Sequence, residues 1–287
     1  MTGSRPPAAR APSPAPRLPA PRLPLPGRPR TVIVHHSART AHRSPVRAAR
    51  RLAVVVPLVC ALAALVSCTK QEEALTTPCG VVVDGSGSAA AVKQGFDSEE
   101  KLKHSLVEFL TDQKCGTVDF APITRSSRSS SCRQDQVDLD PPHDANTDQK
   151  VQRADARRAA ALAALAELKC ARTQNGSDVW GALARIGETV PDDGGTPKLL
   201  VVSDFDQSDP EFVLSRQDLS TEAERAKVID SLVRKRGLPG IKGMEVFPVG
   251  LGMQYSAKPS EADDFQAFWV EVLEGRAEAH VDNQYKR

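Results

Sequence analysis

From about residue 78 onward, short apolar runs alternate with amphipathic stretches. Two runs are wholly apolar, at 81–83 and 199–202, and each leads directly into a polar loop that contains an aspartate. Such runs are typical of strands buried on both faces of a sheet. Further strands are predicted at 115–121 and 244–252, with weak edge strands at 136–139 and 277–281.

Helical spacing fills the intervals between these strands. Leu102, Leu106 and Phe109 recur at helical intervals and predict a helix over 98–113. Further helices are predicted over 151–169, from Ser177 to about 188, from Thr221 to 236, and onward from Ser260. The alternation of strands and helices predicts an α/β fold, with a doubly wound, mostly parallel sheet flanked by helices.

The loop after the first apolar run carries the first candidate chemistry. Asp84, Ser86 and Ser88 alternate with glycines, so the loop offers oxygen ligands and a backbone able to curl around a small ion. Hard cations such as Mg²⁺ and Ca²⁺ prefer oxygen ligands. The sequence lacks the lysine of a phosphate-binding Walker loop and the glycine spacing of a nucleophile elbow. A solvated turn is the alternative interpretation.

Charge is unevenly distributed between the two parts of the chain. Residues 1–67 hold eleven arginines with no lysine and no acidic residue, which leaves 27 basic and 36 acidic residues and a net charge of −9 for the remainder. A nucleic-acid partner is not expected for the folded part, because phosphate binding requires a basic face.

The N-terminal part has the composition of an extension followed by an export signal. Residues 1–45 are rich in proline and arginine and are predicted to be disordered. A translation start at Val46 would place a basic segment before the apolar run 52–66, which is the length of a signal-peptide core and short for a membrane span. We therefore assign 46–67 to a signal peptide, 68–77 to a linker and 78–283 to the folded domain.

The end of the apolar run indicates a lipid anchor. Leu65-Val66-Ser67-Cys68 resembles a bacterial lipobox, which implies cleavage before Cys68 and lipid on its sulfur. The expected location is the outer face of the cell membrane, with the lipid as the anchor. A plain signal peptide or a buried strand is the alternative.

Four cysteines remain in the exported chain: Cys79, Cys115, Cys132 and Cys170. An even number outside the cytoplasm favours two disulfides. Zinc binding is the alternative, although the sequence contains no closely spaced cysteine pair of the kind common in zinc sites.

Taken together, these motifs resemble those of the von Willebrand factor A family over about 78–283. The family's metal-ion-dependent adhesion site has an Asp-x-Ser-x-Ser loop, matched by Asp84, Ser86 and Ser88. Ser177 stands where the family usually has threonine, and Asp204 matches the aspartate after the fourth strand.

The resemblance implies a sheet of order 3-2-1-4-5, with Asp84 and Asp204 flanking the point where the strand order reverses. It implies that all five residues bind Mg²⁺, or Ca²⁺ or Mn²⁺ instead, directly or through water. It also implies a protein partner that completes the metal shell with a carboxylate. Since the sheet order makes the first two strands neighbours, the resemblance further implies the disulfides Cys79–Cys115 and Cys132–Cys170.

Two features depart from the family pattern. Phe205 follows Asp204 where glycine is usual, and Asp206 and Asp209 add negative charge that either is solvated or binds a second cation.

The expected function is an extracytoplasmic binding or adhesion module and not an enzyme, because His104 and His143 are not placed beside the hydroxyls. The alternatives are a metal-dependent hydrolase of phosphate or ester substrates, and a structural lipoprotein without metal.

Overall fold

The structure, a computed structural model, describes residues 72–90, 96–144, 146–191 and 195–285. The predicted extension 1–45, the signal peptide 46–67 and the lipidation residue Cys68 lie outside this part of the chain. The strands are β1 Thr77–Asp84, β2 Cys115–Ile123, β3 Val137–Asp138, β4 Lys198–Val202, β5 Glu245–Val249 and β6 His280–Val281. The α-helices are α1 Ser98–Asp112, α2 Gln149–Ala171, α3 Val179–Thr189, α4 Glu222–Arg236 and α5 Pro259–Val270.

The strands form one six-stranded sheet in the order β3-β2-β1-β4-β5-β6, and only the pairing of β3 with β2 is antiparallel. The predicted mostly parallel α/β fold is therefore confirmed. The central strand β1 pairs with β2 and β4, with Val81 opposite Phe120 and Leu200. Because the chain order reverses between β1 and β4, a crevice opens at their carboxyl ends, where ligands bind in open α/β sheets.

Helices cover both faces of the sheet. Val81 and Val83 pack into a core with side chains of α1 and α2, whereas Val82 faces the opposite core formed with α3, α4 and α5. All three valines are fully buried, as expected for a doubly wound sheet whose central strand has no solvent-facing side.

Two predicted helix caps are wrong. The N-cap of α3 is Asp178 and not Ser177, because the Asp178 carboxylate accepts a hydrogen bond from the Gly181 amide at 2.9 Å. Helix α5 begins at Pro259, so Ser260 lies inside its first turn and cannot cap it. At its other end, α5 continues as a π-helical segment, Glu271–Arg276, which the sequence analysis did not predict.

Both disulfides implied by the resemblance are present. Cys79–Cys115 joins the beginnings of β1 and β2, and Cys132–Cys170 joins the loop after β2 to the end of α2; each pair has a Cα–Cα distance of 5.7 Å. The first disulfide therefore lies near the amino ends of the strands, and the second lies near their carboxyl ends.

The segment that precedes β1 is held at the amino end of the sheet by Arg153 of α2. This side chain donates to Asp140 at 2.7 Å, to Glu72 at 3.1 Å and to the Glu73 carbonyl at 2.7 Å. The Leu75 amide also donates to Asp140, at 2.8 Å. Among the described residues, no helix combines the length and the apolar character needed to cross a membrane.

Candidate metal centre

The first loop of the candidate site begins where β1 ends. The Asp84 carboxylate accepts a hydrogen bond from the Ser86 amide at 2.8 Å, and the hydroxyls of Ser86 and Ser88 lie 3.0 Å apart. Gly85 packs directly on the end of α2, where an added Cβ would lie 2.5 Å from the carbonyl carbon of Ala171. A larger residue would push the loop away from α2, so glycine is required for this geometry.

The second carboxylate belongs to the loop after β4. Asp204 is buried and accepts a hydrogen bond from the Asp206 amide at 3.0 Å. The Ser88 hydroxyl lies close enough to Asp204 to lower its pKa by hydrogen bonding, in opposition to burial, the largest effect, which raises it. The neighbouring Ser203 hydroxyl donates to Asp84 at 2.6 Å. Four of the five predicted ligands, Asp84, Ser86, Ser88 and Asp204, are therefore joined into one cluster.

The carboxylates of this cluster are buried together without a basic partner. Burial, and then repulsion from Asp204, raises the pKa of Asp84 to about 7. Burial also raises the pKa of Asp204, and burial together with the charge of Asp204 raises the pKa of Asp206 to about 6. Within the described part of the chain, none of the three forms a salt bridge. A cation placed among them would relieve this repulsion.

The fifth predicted ligand, Ser177, immediately precedes the N-cap of α3. Its backbone pairs with Ser208, the two amides donating to the opposite carbonyls at 2.8 and 2.7 Å. The residue is 3% exposed, and its hydroxyl has no hydrogen-bond partner among the described residues. The structure therefore does not hydrogen-bond Ser177 to the other four residues. A buried hydroxyl without a partner is uncommon, and an ion or a water bound at the Ser177 oxygen would account for it.

Two residues that the sequence analysis did not assign to the site fix its geometry. Ser203 orients the Asp84 carboxylate, and its oxygen also accepts a hydrogen bond from the Phe205 amide at 2.8 Å. Phe205 has a left-handed backbone with φ of 63°, and its buried ring packs edge-on against Trp269 with centroids 5.4 Å apart. The aromatic packing holds a conformation that usually requires glycine. Its position directly after an all-apolar strand could have indicated from the sequence that Ser203 belongs to the site.

The acidic residues beyond Asp204 divide into two environments. Asp209 accepts two hydrogen bonds from Arg236, at 2.8 Å each. Burial raises its pKa, but these bonds, the charge of Arg236 and the bonds from the Glu211 amide and Gln207 together outweigh burial and lower it. Asp206 instead faces the cluster, and its charge is one of the causes, after burial, that raise the pKa of Tyr255 to about 12. Arg236 therefore compensates the charge of Asp209, whereas Asp206 lies near the charge of Asp204.

The donor set determines which metal could bind. Among the described residues, no group of three or more His, Cys, Asp and Glu side chains is arranged to hold a metal. A metal here would be held by two carboxylates together with serine hydroxyls. Such an oxygen-only set fits Mg²⁺, Ca²⁺ or Mn²⁺ and does not suit softer metals.

The sequence matches no protein-family model and no curated protein. Membership of the von Willebrand factor A family is therefore a proposal, which is based on the five site residues and on the order of the strands.

Proposed function

We propose that this protein is a membrane-anchored, extracytoplasmic binding module of the von Willebrand factor A type. It recognises a protein partner through a divalent cation held by Asp84, Ser86, Ser88, Ser177 and Asp204. The observation that supports this most strongly is the pair of buried aspartates with raised pKa values and no basic partner among the described residues. Buried, uncompensated carboxylates are unfavourable in a purely structural role.

Each residue has a distinct role in this proposal. Asp84 and Asp204 supply the negative charge that binds the cation, and the three serine hydroxyls supply neutral oxygen ligands. Ser203 holds Asp84 in one orientation by the hydrogen bond of 2.6 Å. The cation, when bound, supplies the positive charge that attracts a carboxylate from the partner. Since the hydroxyl ligands are neutral, the cation retains charge for that contact.

The two histidines considered as general bases lie away from the site. His104 lies on α1 with its side chain 77% exposed, and its nearest acidic partner is Glu100 at 4.0 Å. His143 is also exposed, in the loop before α2. Neither histidine contacts the aspartates or the serines of the site, so neither is positioned as a general base for metal-assisted hydrolysis.

Glu72, four residues after the proposed anchor in the sequence, and the site lie at opposite ends of β1. Cys68 precedes Glu72 by four residues, a span of at most about 14 Å. Arg153 holds Glu72 at the amino end of the sheet, and the eight residues of β1 place Asp84 about 25 Å further along. A lipid at Cys68 would therefore hold the domain close to the membrane with its metal face directed away from it.

The direct test is calorimetric titration of the purified protein with Mg²⁺. We expect binding to one site, loss of at least tenfold in affinity for Asp84→Ala, and unchanged affinity for Asp119→Asn. Asp119 is a suitable control because it is a half-buried carboxylate of the sheet outside the site, and burial raises its pKa too.

Other outcomes would support the alternatives. Equal Mg²⁺ binding by wild type and Asp84→Ala would refute the site. Turnover of simple phosphoesters would favour a hydrolase, and a melting temperature indifferent to Mg²⁺ would favour a structural lipoprotein. Capture of a membrane protein in Mg²⁺ but not in chelator would identify the partner.

A further inference from the structure

A cleft of about 340 Å³ opens beside the candidate metal centre. One wall is the loop after β2, the second is the start of α3, and the third combines the Asp209–Glu211 loop with the end of α4. Its lining includes Arg125, Arg128, Trp180, Pro210, Lys235 and Arg236.

The cleft adjoins the Ser177 side of the metal centre, because Asp178, which lines the cleft, follows Ser177 in the chain. Gly176, which precedes Ser177, has a φ of 135° and packs against the backbone of Arg125, where an added Cβ would lie 2.6 Å from the Arg125 Cα. A ligand that reaches the Ser177 side of the metal centre therefore lies next to the cleft.

The two acids at the base of the cleft share one cation. Arg236 donates to Asp209 at 2.8 Å through two nitrogens and to Asp178 at 3.2 Å. Gln207 completes this network, because its side-chain amide donates to Asp178 at 3.3 Å and to Asp209. Its side-chain carbonyl accepts from the Trp180 amide at 2.8 Å. The single charge of Arg236 leaves one negative charge at the base uncompensated, so any attraction for an anion must come from the rim.

The charges at the rim of the cleft are different. Arg125 and Lys235 are exposed, and neither side chain forms a salt bridge or a hydrogen bond with any described residue. Arg128 is paired with Glu188. Glu211 is the one acid of the lining that is mostly exposed, at 76%, and it lies 3.7 Å from Arg236. Two unpaired cations therefore dominate the accessible charge.

The walls are already held in place without a ligand. Arg185 donates to the carbonyls of Ser127, Ser130 and Cys132 at 3.2, 3.2 and 2.7 Å. Cys132 is also fixed by its disulfide to Cys170. Because little of this surface must be ordered on binding, even weak contacts there can contribute to affinity.

We propose that this cleft is a second contact site for the partner, and that the partner is an acidic peptide segment with two carboxylates. One carboxylate binds the metal, and the other lies between Arg125 and Lys235. This inference rests on the proposed function, because the first carboxylate needs the cation. The second contact gives the site selectivity for acidic segments and makes that selectivity sensitive to ionic strength.

The test uses synthetic peptides of glycine and serine with blocked ends, followed by NMR titration of the isotope-labelled protein in saturating Mg²⁺. One peptide carries a single aspartate, and a series adds one glutamate at one to four residues from it. We expect the best two-acid peptide to bind about fivefold to tenfold more tightly than the one-acid peptide at low salt.

Variants test whether the tighter binding of the two-acid peptide, called the advantage below, depends on the cleft. Arg125→Gln/Lys235→Gln should remove it, while Glu211→Gln should increase it. The matched control is Arg216→Gln/Arg234→Gln, which removes two exposed arginines outside the cleft that form no salt bridge and should retain the advantage.

The two proposals fail in distinguishable ways. If Mg²⁺ binds and the one-acid peptide binds, but no two-acid peptide binds more tightly, the cleft proposal is overturned and the metal site stands. The same conclusion follows if the control variant loses the advantage as completely as Arg125→Gln/Lys235→Gln. If Mg²⁺ does not bind, both proposals are overturned.

Discussion

The two ends of the sheet differ in whether their buried carboxylates are paired with a cation. At the amino end, Arg153 is only 7% exposed and is surrounded by Asp140, Glu72 and the Glu73 carbonyl. Burial opposes ionisation of Asp140, but the hydrogen bond from Arg153 and those from other donors outweigh it and lower its pKa. Charge at this end is compensated within the chain.

Around Asp84 and Asp204 at the carboxyl end, no described residue supplies such compensation. Asp84 and Asp204 are buried side by side with raised pKa values, and the Ser177 hydroxyl has no partner. The same fold thus pairs its buried charges where it needs stability and leaves them unpaired where we propose a ligand. Such local exceptions within a consistent structure are characteristic of functional sites.

The largest effect is expected when each of the two disulfides is removed separately. Cys79–Cys115 and Cys132–Cys170 span 36 and 38 residues, so the loss of either should destabilise the protein by a similar amount, about 4 kcal/mol. Only Cys132→Ser/Cys170→Ser should weaken Mg²⁺ binding, because Cys170 adjoins Ala171, against which Gly85 packs.

Urea unfolding gives the stability of each variant, and calorimetry at a temperature where both remain folded gives the affinity. Equal loss of Mg²⁺ affinity in both double variants would contradict the proposed division between the two ends.

A smaller effect is expected at the amino end from Arg153→Ala. The change leaves Asp140 without its main cation and the Glu73 carbonyl without its donor, which should cost about 3 kcal/mol in urea unfolding. Mg²⁺ affinity should not change. Lys150→Ala is the control, since Lys150 is 77% exposed and 3.5 Å from Glu72, and removing it should have little effect on stability.

The sequence predicted the strand ends that position the candidate site, but not the long-range contacts between its side chains. The apolar runs ending at Val83 and Val202 placed Asp84 and Asp204 correctly at the ends of adjacent strands, because burial on both faces leaves a strong local pattern. The pairing of Arg236 with Asp209 and the hydrogen bond from Ser203 to Asp84 were not predicted. They join residues 27 and 119 positions apart, and tertiary packing, not local propensity, determines such contacts.

The N-cap of α3 also could not be predicted from the local sequence. Ser177 and Asp178 are both good N-cap residues, and sequence alone did not distinguish them. The choice depends on the Ser208 backbone, which pairs with Ser177 and leaves the Asp178 carboxylate facing Gly181. The competing partner lies 31 residues away in a different loop.

At the carboxyl end, Asp84→Asn should stabilise the metal-free protein at pH 8. A carboxyl whose pKa rises from 3.8 to about 7 on folding binds its proton more tightly in the folded state. Its stabilising effect is therefore greatest at low pH and is lost as the pH rises from about 4 to about 7. Between pH 5.5 and 8 in chelator, we expect wild type to lose about 2 kcal/mol and Asp84→Asn to lose much less.

The same variant should lose the stabilisation that Mg²⁺ gives to wild type at pH 8, so its two effects have opposite signs. Thermal unfolding with Mg²⁺ and with chelator, at both pH values, measures all four states. An Asp84→Asn protein that is less stable than wild type in chelator at pH 8 would show that Asp84 has a structural role instead.

The smallest effect, and the most specific one, is expected from Ser177→Ala. The Ser177 hydroxyl is buried without a partner, so its removal should leave the metal-free protein equally stable or more stable, by up to about 1 kcal/mol. Mg²⁺ affinity should nevertheless fall several-fold, and Ser177→Thr, which keeps the hydroxyl, should retain it.

Ser98 provides the matched control for this prediction. It lies at the start of α1, is 1% exposed, and its hydroxyl likewise has no partner among the described residues. Ser98→Ala should relieve a similar desolvation penalty without any change in Mg²⁺ affinity. If the two alanine variants behave alike in both measurements, the unpartnered hydroxyl of Ser177 is a packing feature and not a metal ligand. If only Ser177→Ala weakens Mg²⁺ binding, the unsatisfied hydroxyl is maintained for the cation, at the expense of stability in its absence.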